Sequence, residues 1–137
     1  MPKAAIAKFK QRALRTENEI LAALVGTVTR ENERVTRVQV EDLYYPLLIA
    51  SSAEECNWSL SDLAKHQIRI YPKAIIGSIH SHPNTETIHI SPDDLKSAAE
   101  LQEIVFGVLT WWKPEGQRRE TSLDFYCQGK AIKYQLL

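Results

Sequence analysis

Hydrophobic spacing along the chain changes period several times, and each change marks an element. In residues 3 to 16, Ile6, Phe9, Ala13 and Leu14 recur at helical spacing among lysines and arginines, which predicts an amphipathic helix with one face on a core. "EILAALVGTVTR" then turns small and apolar with β-branched residues, predicting a strand over about Ile20 to Thr29. A polar turn, "RENER", leads into "VTRVQVEDLYYPLLIA", read as one strand near 35–41 and another near 43–50. Serine and aspartate ahead of a periodic stretch in "SLSDLAKHQIRI" predict a helix. "KAIIGSIHS" is a short β-rich apolar run and the clearest strand signal. "SPDDLKSAAELQ" carries a full helix start, with Ser91 as N-cap, Pro92 at the first helical position and acids in the first turn. "IVFGVLTWW", "TSLDFYCQ" and "AIKYQLL" complete the pattern as three strands, the last two joined by a turn at Gln128-Gly129.

This order predicts a single domain over residues 1–137 of α+β (mixed α/β) class, with a central sheet of about six strands flanked by about three helices. Seventeen basic and seventeen acidic residues cancel, so charge gives no reason to expect nucleic acid or an anionic membrane as partner. Cys56 and Cys127 form no CxxC pair and read as thiols in a reducing compartment. The N-terminal stretch lacks a signal-peptide core and no stretch reaches transmembrane length, so the expected location is the cytoplasm.

Three of the four histidines, His80, His82 and His89, fall within "IGSIHSHPNTETIHISPDDL". Alternation along a strand points His80 and His82 to one face and Ser81 to the other. Two imidazoles about 6–7 Å apart along a strand are placed to share one metal ion. Pro83 then ends the strand beside a polar loop, where a site opens to solvent. Asp93 and Asp94, in the first turn of the next expected helix, are the nearby carboxylates. Two nitrogens, one carboxylate oxygen and a water make the open tetrahedral arrangement of catalytic zinc, which brings the pKa of that water down to about 7. The plain alternative reads the histidines as a polar pair on a strand face and Ser91 with Asp94 as a near capping box. His66 and His89 read as surface residues.

"HSHP…SPDD" resembles the signature of the JAMM (MPN-plus) zinc metalloproteases, H-S/T-H-P followed by a short loop and S-x-x-D. The resemblance makes His80, His82 and Asp94 the metal ligands and Ser91 the residue that stabilises the tetrahedral intermediate. It also asks for a glutamate ahead of a small, apolar strand. Glu19 stands seven residues before Gly26, the family's spacing, with Glu17 as the other candidate general base. Two departures are visible: eight residues separate His82 from Ser91, one more than is usual, and Ala22 stands where glycine is usual.

The resemblance implies an MPN/cytidine-deaminase-like fold and one Zn2+ per chain with a bound water. It also implies hydrolysis of a peptide or isopeptide bond at the C-terminal tail of a ubiquitin-like or sulfur-carrier protein, by a compact prokaryotic or phage-type member. The competing readings are an MPN-type binding scaffold without catalysis and a RadC-like DNA-associated protein. A nucleobase deaminase needs H-x-E with a later P-C-x-x-C, and the chain has neither.

Overall fold

A computed structural model describes residues 1–46, 48–51, 56–83, 104–113, 120–127 and 130–136. The chain opens with helix α1 (Lys3–Ala13), followed by strands β1 (Leu21–Glu31), β2 (Arg34–Tyr44), β3 (Leu48–Ser51) and β4 (Cys56–Trp58). Helix α2 (Leu60–Ile70) comes next, then β5 (Ala74–His82), β6 (Val105–Trp112), β7 (Glu120–Cys127) and β8 (Lys130–Ile132). Six strands form one sheet in the order β2-β1-β5-β6-β7-β8, and β3 with β4 forms a separate pair. All neighbours are antiparallel except β5 and β6.

This corrects the expectation of a central sheet flanked by about three helices. The described residues are mostly strand, six of them in a curled half-barrel, with two short helices of eleven residues each. The helix expected over residues 91–102 lies outside the described residues, as does the turn at 128–129. The physical reason for the difference is the curl. Ile6, Phe9 and Ala13 of α1 are fully buried against Ala22, Leu24, Ile79, Leu109, Trp111, Leu123 and Phe125, which alternate along four strands. One amphipathic helix therefore fills the concave face of a sheet bent around it.

Strand boundaries also shift for a local reason. The polar pair Glu41-Asp42 divides two expected strands, but β2 runs straight through it. Val25 faces Asp42 while Gly26 faces Val40, so Glu41 is the extra residue of a bulge. Gly26 is needed there, because a Cβ would lie 1.9 Å from the Gln39 carbonyl oxygen. The strand ends just before Pro46, which has no N–H to donate.

Helix α2 is capped by Ser59, whose hydroxyl accepts from the Asp62 N–H at 3.2 Å. It packs against β2 and β5. His66 stacks on Tyr44 with ring centroids 3.6 Å apart, and the Tyr44 hydroxyl donates to Asp62 at 2.7 Å. Gln67 accepts from the Ile75 N–H and donates to the Lys73 carbonyl, fixing where β5 begins. Among the described residues no helix is long and apolar enough to cross a membrane.

Candidate metal centre

The site is assembled by the pairing of β1 with β5. Leu21 faces His80 in the antiparallel register, so continuing the pairing backward sets Ile20 beside Ser81 and Glu19 beside His82. Hydrogen bonds carry that continuation past the start of β1. The Ser81 N–H donates to the Ile20 carbonyl at 3.0 Å, and the Ile20 N–H donates to Ser81 Oγ at 2.9 Å. Directly opposed residues on an antiparallel pair share a face. Glu19 and His82 are therefore brought together by strands whose positions are sixty-three residues apart in the sequence (82 − 19).

On that face the imidazoles of His80 and His82 lie edge to face, centroids 4.8 Å apart and planes 62° apart, with their Nε2 atoms at 3.0 Å. Glu19 Oε1 is 3.5 Å from His82 Nε2. One ligand atom from each of the three residues falls within 4.8 Å of the others, and this group can hold a metal ion. The fit is chemical as well as spatial. Nitrogens about 2.0–2.1 Å from a tetrahedral zinc stand about 3.3 Å from each other, close to the separation of the two Nε2 atoms. Glu19 is buried, with 8% of its surface exposed, and His80 is 9% exposed. His82 is half-buried, so the site opens on its side.

The walls of the site are mixed. Val108 lies beside His80 in the parallel register of β5 and β6, and it packs with Phe106 and the half-buried Tyr126 into a small second apolar cluster. Such a wall excludes water from one flank and strengthens electrostatic interactions there. Thr110 lies beside His82, fully buried, and its Oγ1 has no hydrogen-bond partner among the described residues.

Of the residues singled out from the sequence, the structure brings together Glu19, His80 and His82. Glu17 is exposed and does not join them. Ser91, Asp93, Asp94 and His89 lie outside the described residues. His66 is occupied elsewhere, in the stack on Tyr44. The sequence pattern places Ser81 on the face opposite the histidines without giving it a role, and it gives no signal for Thr110; Ser81's place between two same-face histidines turns it into the core. Cys127 offers no second reactive centre, because burial pushes its thiol pKa up and keeps it protonated at neutral pH.

No family model matches the chain, and no curated protein matches it. Among solved structures it is similar to protein DSY2949 from Desulfitobacterium hafniense, determined in solution by a structural genomics consortium. The two are 20% identical, with a TM-score of 0.54, over 99% of this chain and 89% of that one. At that identity the likeness is one of fold: the chain path just described is shared by a second protein along nearly its whole length.

Proposed function

We propose that this protein is a zinc-dependent amide hydrolase, a metallo-isopeptidase or peptidase of the JAMM type. Its substrate would be the C-terminal tail of a ubiquitin-like or sulfur-carrier protein. One observation carries the reading: two strand-end imidazoles direct their Nε2 atoms to within 3.0 Å of each other, with a buried carboxylate 3.5 Å from one of them. The H-S-H-P and S-x-x-D pattern around those histidines adds the rest of the assignment.

His80, His82 and Asp94 would hold the metal. Zinc held there would supply an acidified water and a Lewis acid for the substrate carbonyl. Glu19 would serve as general base and then general acid, taking a proton from the attacking water and returning it to the leaving amine. It is buried, with its Oε1 3.5 Å from His82 Nε2. Ser91 donates a hydrogen bond to the developing oxyanion, a contribution of about 2.7–4 kcal/mol for donors of this kind.

Metal content is the test, with wild type beside His82→Ala and Glu19→Gln. About one zinc per chain is expected in the wild type and in Glu19→Gln, and none in His82→Ala. Wild type should release a C-terminal extension from a ubiquitin-like carrier, and Glu19→Gln should not. A wild-type protein that takes up no zinc on reconstitution overturns the proposal and favours a binding scaffold. Salt-dependent binding to DNA would instead favour the RadC-like alternative.

A further inference from the structure

Ser81 is the residue between the two histidines, and its side chain lies on the other face of β5, fully buried. Its two bonds to Ile20 close a small ring between the strands: amide to carbonyl in one direction, amide to hydroxyl in the other. An ordinary antiparallel pair exchanges two backbone bonds at such a position. Here the hydroxyl takes the place of a strand carbonyl as acceptor. The rung lies beyond the first residue of β1 and next to Glu19 in the chain.

We propose that Ser81 is a positioning residue for Glu19, its hydroxyl fixing the Ile20 amide so that the Glu19 carboxylate is held against His82. The inference deepens the zinc hydrolase reading and rests on it. One peptide unit separates Glu19 from the anchored amide. Removing the hydroxyl leaves the Ile20 N–H without that acceptor in a part-buried setting, which costs more than the bond itself is worth. The segment would then move to find another acceptor, and the carboxylate would move with it. Supporting groups of this sort commonly change metal affinity or activity by about 10–100-fold.

The test uses the full chain loaded with Co2+, whose visible absorption reports ligand geometry and the groups that bond to it. Wild type, Ser81→Ala, Ser81→Thr, Glu19→Gln and the Ser81→Ala/Glu19→Gln double variant are compared at saturating metal. Glu19→Gln should shift the wild-type bands, and Ser81→Ala should reproduce at least half of that shift. Ser81→Thr, which keeps the acceptor, should match wild type. The double variant should match Glu19→Gln alone, because a group that acts through Glu19 has nothing left to act on. Ser81→Cys, near-isosteric and a poor acceptor, replaces the alanine variant if that one does not fold, and the same shift is expected.

A Ser81→Ala spectrum identical to wild type overturns the inference and leaves the hydrolase reading intact. An equal effect of Ser81→Ala with and without Glu19 also overturns it, since Ser81 would then act on the histidines through β5. A wild-type protein that binds no Co2+ overturns both, and one whose spectrum ignores Glu19→Gln removes Glu19 and Ser81 from the site together.

Discussion

Thr110, beside His82 in the β5–β6 register, carries a folding cost at the site. Its hydroxyl is fully buried and has no partner among the described residues, and an unsatisfied buried hydroxyl costs about 1–3 kcal/mol. Valine has nearly the same shape and no hydroxyl. Thr110→Val should therefore leave the metal-free protein as stable as wild type or stabilise it by about 1 kcal/mol, read as an unchanged or higher Tm. A clear loss of stability would show that the hydroxyl has a partner after all. Tyr44 makes the opposite case. The hydrogen bond to Asp62, with burial second, raises its phenol pKa above the ordinary 10. A raised folded-state pKa gives stability that is complete below pH 10 and is lost as pH rises through the raised value. Tyr44→Phe should lower the Tm at neutral pH, by about 1 kcal/mol for a bond of this type, and the gap to wild type should narrow above pH 10. A gap that holds constant through alkaline pH would mean the bond to Asp62 contributes nothing.

At the scale of elements, what was readable in the sequence depended on how local its cause was. The H-x-H alternation was readable because the two-residue period of a strand puts His80 and His82 on one face whatever the rest of the fold does. Glu19 was found only through a motif, since its place beside His82 is set by the register of β1 on β5, a pairing that no local window contains. The polar pair Glu41-Asp42 misled for a related reason: a bulge and a turn both accept polar residues, and only the partner strand tells them apart. The curl of the sheet was beyond reach, because α1 advertises an apolar stripe without saying which strands close on it. The hairpin joining β1 and β2 is a place where sequence and geometry disagree. Asn32 and Glu33 both have positive φ, 50° and 67°, the mirror-image turn that suits a twisted two-residue hairpin. Asparagine tolerates that conformation and glutamate pays for it in strain, whereas Asn-Gly is the favoured pair. Glu33→Gly should raise stability by about 0.5–1 kcal/mol without touching the metal centre. Denaturant midpoints check this, and a lower midpoint would show that Glu33 makes a contact worth more than its strain.

The whole molecule places its candidate site and its main core on opposite faces of one sheet. Helix α1 and the apolar ends of β1, β5, β6 and β7 fill one side, while Glu19, His80 and His82 occupy the other. Alternation explains how one short strand serves both, since Ile79 and Ser81 point into the core while His80 and His82 point away from it. A metal held by His80 and His82 at the end of β5 together with Asp94 should then stabilise the fold as a whole, because unfolding separates the groups that hold it. Zinc at one hundred times its dissociation constant should add about 2.7 kcal/mol, seen as a higher Tm that chelation reverses. Phe9→Ala, which empties a fully buried position in α1, should cost about 3–5 kcal/mol on the far side of the sheet. The two effects should add: the zinc-induced rise in stability is expected to be the same in Phe9→Ala as in wild type. A rise that shrinks or vanishes in Phe9→Ala would mean that core packing against β1 and β5 sets the geometry of Glu19 and the histidines. The sheet would then be transmitting strain between its faces, and the two faces could no longer be treated as independent.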